Sequence, residues 1–169
     1  MIKTILSRAS VRNFTGGKIA KKDLEKIVKA GMAAPSAVNT QPWRVIVISE
    51  RGILDELAKG LLFARMLKSA SAAIVVCADY GINPFSKKYW VQDCSAMSQN
   101  ILLAVHSLGY GAVWTGVYPS IKKEGFVRKV LSIPDKIRVL NVIPIGIPKE
   151  KVKPKDKYDT KKIYWQSWK

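Results

Sequence analysis

Apolar residues at three- and four-residue spacing, Leu24, Ile27, Val28 and Met32, predict an amphipathic helix running from Lys21 and stopped before Pro35. The pattern changes from Trp43 to Ser49, where an apolar, β-branched run predicts a strand. Leu54, Leu57, Ala58 and Leu61 share one face of a short helix over 53–61, and a second helical stretch is expected around Ala64. Ala72 to Ala78 is apolar at every position, as in the middle strand of a sheet covered on both faces. A polar loop is expected over Asn83 to Tyr89, followed by the longest helix, Trp90 to Leu108. Met97, Ile101, Leu102, Val105 and Leu108 form its stripe and Ala96 and Ala104 widen it, so this helix belongs at the centre.

Gly109 is placed to close that helix. Ala112 to Tyr118 predicts a strand, and Ser120 can cap a helix carrying Ile121, Val127, Val130 and Leu131. Ile133-Pro134 stops it, and Arg138 to Ile147 is the last long strand. Residues 1–14 read as a short helix or an extended lead-in, closed by a turn at Thr15-Gly16-Gly17-Lys18. Helices and strands intersperse without a strict βαβ rhythm, which favours an α+β fold over a doubly wound sheet. No repeat or linker divides the chain, so residues 1–169 are expected to form one domain.

Composition narrows the chemistry. The apolar fraction of 48% suits a globular domain, and no run approaches the roughly 20 apolar residues of a membrane span. Met1 to Leu6 is too short for the apolar part of a signal peptide, and Arg8 and Arg12 follow at once, so a cytoplasmic location is expected. Cys77 and Cys94 have neither metal-ligand nor disulfide spacing. Cys77 reads as a small buried hydrophobe, and Cys94 as a partly exposed thiol with no adjacent base. The lone His106 leaves zinc, non-haem iron and Ser-His-Asp chemistry without ligands or partners. A net charge of +17 points to polyanions, phosphorylated ligands or acidic surfaces, with solubility as the plain alternative.

Four segments could carry chemistry. If Arg8-Ala9-Ser10-Val11-Arg12 is extended, residues 8, 10 and 12 project to one side and offer two guanidinium groups and a hydroxyl to a phosphate. Two arginines four apart also occur on any solvated helix. The stretch Pro35-Ser36-Ala37-Val38-Asn39-Thr40-Gln41-Pro42 cannot continue a helix. It presents amides and hydroxyls in a rigid frame suited to a heteroaromatic edge, or else it satisfies only its own backbone. Gly109-Tyr110-Gly111-Ala112-Val113-Trp114-Thr115-Gly116 leaves a helix and enters a strand, the reverse of a dinucleotide-binding loop. Gly116, inside a strand pattern, marks a bulge or the close approach of a ligand. In the tail, Lys149, Lys151, Lys153, Lys155 and Lys157 alternate, followed by Tyr158, Tyr164, Trp165 and Trp168. They could meet phosphates, stack bases, dock on a partner subunit, or face water.

Taken in order, SRASVRNF, APSAVNTQPW, QNILLAVHSLGYGAVWTG and NVIPIGIPKE resemble the nitroreductase family of FMN enzymes over nearly the whole chain. The resemblance implies a central mixed β-sheet wrapped by helices in an intertwined homodimer, with two FMN molecules at the subunit boundary. It implies that Arg8 and Arg12, with Ala9 and Ser10 between them, meet the FMN phosphate and ribityl chain, and that Lys155 and Lys157 reach the same phosphate from the tail. It places Pro35, Ser36, Ala37, Asn39 and Gln41 over the flavin of the partner subunit. Trp114, Thr115 and Gly116 then lie beside the flavin, with the Gly116 amide toward N5. Larger members carry an acidic residue at that position, and Phe63 to Lys68 aligns poorly, leaving only Arg65 as a candidate there.

The implied reaction is reduction of FMN by NADH or NADPH, then reduction of a small-molecule acceptor such as a nitroaromatic or quinone, in ping-pong turnover. Because the cofactor carries the chemistry, no catalytic side chain is expected. The rivals are a family member using reduced FMN for dehalogenation, desaturation or flavin cleavage, and a flavin carrier without turnover. A basic nucleic-acid-binding protein ranks below the enzyme, because no recognised motif arrays the lysines and aromatics on one face.

Overall fold

A computed structural model describes residues 1–168; Lys169, part of the single-domain expectation, lies outside the described residues. The chain order is α1 (Ile2–Ser7), α2 (Lys21–Met32), β1 (Trp43–Ile48), α3 (Arg51–Gly60), β2 (Ala72–Ala78), α4 (Pro84–Ser107), β3 (Gly111–Ala112), β4 (Thr115–Gly116), α5 (Ile121–Leu131) and β5 (Arg138–Gly146). Short 3₁₀ turns lie at Ala37–Asn39, Leu62–Lys68 and Thr160–Lys162. The sheet runs β1-β2-β5-β3, with β4 also on β5. All these ladders are antiparallel. The parallel component is an isolated bridge between Ser10 and Ala112.

The uniformly apolar β2 is buried at all seven positions and sits between β1 and β5, because its side chains must be covered on both faces. On one face, Ile74 and Val76 pack with Ile27, Met97, Ile101 and Val105 of α2 and α4. On the other, Val75 and Cys77 pack with Leu54, Leu57 and Val127 of α3 and α5. The central helix α4 buries Met97, Ile101 and Val105 completely. This three-layer arrangement is α+β.

Three expectations require correction. The segment 83–89 is not a polar loop: α4 begins at Pro84, and Asn83 and Ser86 form a capping box, with Asn83 Oδ1 accepting from the Ser86 amide at 2.9 Å. Polar residues there cap rather than break the helix. The strand expected over 112–118 consists of two two-residue pieces, broken at Val113 and Trp114. Cys94 is fully buried, and burial, with Asp93 and Cys77 nearby, pushes its thiol up to about 12. Burial also raises Cys77 to about 12.

The lead-in is both helix and extended chain. After α1, Arg8 turns into extended backbone, and the Val11 amide donates to Ala112 O at 3.0 Å. The Thr15 amide then donates to Ile147 O and the Lys149 amide to Asn13 O, both at 3.0 Å. Val11 and Phe14 are buried, and a Cβ on Gly111 would stand 2.7 Å from the Val11 side chain. Glycine there lets Val11 pack against β3, beside which the lead-in runs.

Candidate functional site

Stitching 10–14 to the sheet directs alternate side chains to opposite sides. Val11 goes into the core while Arg12 stays exposed. Arg8, Ala9, Ser10 and Arg12 line one wall of a cleft of about 300 Å³, and Val152, Lys153, Lys155 and Lys157 line the other. Arg8, Arg12, Lys155 and Lys157 therefore line one cleft, together with Val152 and Lys153, which the resemblance did not assign to the cofactor. No carboxylate lines this cleft, and among the described residues none of its five cations is ion-paired. Five uncompensated cations around one concavity create a potential that an anion relieves, and the two guanidinium groups suit phosphate oxygens.

Residues 35–41 lie elsewhere and do not line this cleft. They form a tight turn in which Val38, Asn39 and Gln41 have φ of 50°, 53° and 47°. Left-handed backbone is uncommon for any residue with a Cβ and costly for a β-branched one. Ser36 Oγ accepts from the Gln41 amide, and Gln41 Nε2 donates to Asn39 Oδ1, both at 3.0 Å. Asp93, buried in α4, accepts from the Ala37 amide at 2.9 Å. Pro35 and Gln41 are exposed, and Val38 is 73% exposed.

The third group sits on the sheet. Trp114 packs against the α4 side of the core, and Thr115 is buried, its hydroxyl donating to Val142 O at 2.5 Å. Gly116 pairs with Asn141 and is exposed. It forms no bulge in this ladder, and a Cβ there would meet nothing closer than Tyr118 O at 3.8 Å. Nothing in this chain demands a glycine at 116, in contrast to Gly111. Arg65, the weaker candidate, is exposed on the 3₁₀ turn at Leu62–Lys68.

A further anchor was not anticipated. Arg138 donates to both oxygens of the buried Glu124, at 2.7 and 2.9 Å, and its guanidinium lies over Trp90 and Tyr118, each 5.4 Å away. Burial alone would raise the Glu124 carboxyl; Arg138 and the Val139 amide outweigh it and hold the group below its ordinary value. The clamp secures the chain just after Gly116. Neither it nor Asp93 is legible in sequence, since Glu124 and Asp93 read as single acids on helices.

A model of the nitroreductase family matches residues 5–73 and 55–147. A protein named as a candidate NADH dehydrogenase/NAD(P)H nitroreductase from Archaeoglobus fulgidus is 42% identical, over 99% of this chain and 98% of its own length. Among solved structures, a protein from Parabacteroides distasonis with the same candidate description is 48% identical, with a TM-score of 0.94 over 99% of this chain and 98% of its own. An FMN-dependent nitroreductase from Clostridium difficile is 29% identical, with a TM-score of 0.91 over 99% and 100%. The chain belongs to the nitroreductase family.

Proposed function

We propose that this protein is an NAD(P)H-dependent FMN oxidoreductase, a single domain over residues 1–169 that works as a homodimer. The observation that carries the reading is the cleft in which Arg8, Arg12, Lys155 and Lys157 converge without counter-ions, in a chain whose relatives include an FMN-dependent nitroreductase. The unpaired cations fit a phosphate monoester, so the residues present suit FMN. In this reading Arg8 and Arg12 grip the phosphate, Ala9 and Ser10 lie along the ribityl chain, and the two lysines close the cleft from the tail. Trp114, Thr115 and Gly116 flank the ring system, where the open space at Gly116 leaves room for a plane and its backbone amide is the donor toward N5.

The second copy supplies what one chain lacks. Pro35, Ser36, Ala37, Asn39 and Gln41 cover the flavin held by the partner, and the end of the tail, beyond the lysines of the cleft, packs on the partner. Tyr158, Trp165 and Trp168 are 76%, 77% and 81% exposed in the isolated chain, a large apolar cost unless another surface covers them. An apolar groove of about 640 Å³, lined by Leu24, Val28, Met32 and Val47 beside edge strand β1, adds uncovered surface of the same kind.

FMN, when bound, supplies the redox chemistry, taking a hydride from NADH or NADPH and giving electrons to a small acceptor such as a nitroaromatic or quinone. The protein's residues bind, orient and limit access; no side chain is assigned as acid or base. Donor and acceptor need the same open face, which gives ping-pong kinetics. The positive surface steers the anionic donor, an effect that salt weakens. Among the described residues no helix is long and apolar enough to cross a membrane, and a cytoplasmic location belongs to the same proposal. Anaerobic titration of the yellow protein with NADH and with NADPH, followed by a panel of oxidants, tests the reading. Bleaching by a donor and recolouring by an acceptor is expected; a colourless protein that cannot be reconstituted with FMN would overturn it.

A further inference from the structure

We propose that Asp93 is a positioning residue for the cofactor site, holding residues 36–41 in the turn, left-handed at Val38, Asn39 and Gln41, that meets the flavin. This rests on the function proposed above. Asp93 is 5% exposed on α4, beside the buried Trp90, Cys94 and Met97. A carboxylate in such a place is costly unless its oxygens find donors. Among the described residues it has no ion pair, and its partners all come from one segment. Oδ1 accepts from the Ala37 amide at 2.9 Å and Oδ2 from the Thr40 hydroxyl at 3.5 Å. Those donors lie on either side of Val38 and Asn39, two of the loop's three residues with positive φ. The charge and the strain compensate each other: the acid needs the loop's donors, and the strained turn needs an anchor that cannot move.

The division of labour within the loop follows. Asp93 grips the turn at 37 and 40, while bonds among Ser36, Asn39 and Gln41 close it. Within it, Asn39 Nδ2 and Gln41 Oε1 make no hydrogen bond among the described residues, leaving one donor and one acceptor for a heteroaromatic edge. A loosely held turn would pay the ordering cost each time the cofactor binds.

The test compares wild type, Asp93→Asn, Thr40→Val and Arg12→Ala, purified with FMN. Amide hydrogen exchange is followed at Ala37 to Gln41, and FMN affinity by equilibrium dialysis. Asp93→Asn keeps the side-chain volume and should speed exchange at Ala37 and weaken FMN about tenfold or more, the scale of a hydrogen bond to a charged group. Thr40→Val should act in the same direction with a smaller effect. Arg12→Ala should weaken FMN while leaving loop exchange at the wild-type rate, which separates gripping the phosphate from holding the loop. Wild-type exchange in both Asp93→Asn and Thr40→Val would overturn the anchor, as would faster exchange with unchanged FMN affinity. A wild type that takes up no FMN would overturn the function itself and the loop's role with it; a wild type that binds FMN no more tightly than Asp93→Asn removes only Asp93.

Discussion

The extended stretch from Arg8 to Phe14 and the turn from Ser36 to Gln41 both present polar groups, yet they are held by opposite means. The first is stitched to the fold by backbone bonds to Ala112 and Lys149 and by two buried side chains, Val11 and Phe14. Its cleft is complete within one chain, down to the lysines from the far end. The second has strained backbone at three positions and one buried carboxylate holding it. Charge can be presented by exposed, ordinary backbone, because long cationic side chains reach their target from a distance. A turn that, as proposed, lies against a ring needs its own atoms in place, and strained backbone with a buried anchor provides that.

The largest effect should fall outside both regions and set the scale for a purely structural anchor. Glu124→Gln strips the buried partner from Arg138 and should cost about 3 kcal/mol of stability, seen in urea unfolding of the FMN-saturated protein. The sign in pH follows from the depressed Glu124 carboxyl. Its contribution is fully present above the ordinary carboxylate value and is lost as pH falls through the lowered one, so the acid limb should be shallower in the variant.

Next, Arg12→Ala should weaken FMN by roughly 1.5–3 kcal/mol, the scale of a charged hydrogen bond, with no change in the melting temperature of the FMN-free protein. Unchanged retention would remove Arg12 from the cleft's function. Gly116→Val should leave stability within about 0.5 kcal/mol, as expected of an uncrowded surface site, yet lower FMN retention more than the same change would if no ring approached. Equal retention in wild type and variant would leave the glycine without a role.

On the loop, Val38→Gly removes a β-branched residue from left-handed backbone and should raise stability by up to about 1 kcal/mol after the glycine entropy cost. A loss of stability instead would support the proposal that a second copy of the chain covers Val38. The smallest effect expected is none at all: with both thiols pushed to about 12, Cys77 and Cys94 should resist a thiol reagent at neutral pH until the protein is unfolded.

Much of the architecture was legible from local pattern. The bounds of β2 follow from seven consecutive apolar residues, and those of α2 from its stripe and Pro35. The start of α4 was misplaced because Asn83 and Ser86 satisfy helix-end amides, and a cap reads like a loop when only polarity is weighed. The break at Val113-Trp114 could not be read, since both residues suit a strand and the interruption depends on how β3 and β4 meet β5.

The sequence by itself determined most of the helices and strands, the burial of β2 on both faces and the supply of cations, because these follow from periodicity and residue type. Only the tertiary structure decided that Arg8 and Arg12 face Lys155 and Lys157, that Gly116 borders open space, and that Asp93 reaches Ala37 across 56 positions. Such meetings depend on how the chain crosses itself, and no local pattern encodes a contact between segments that far apart.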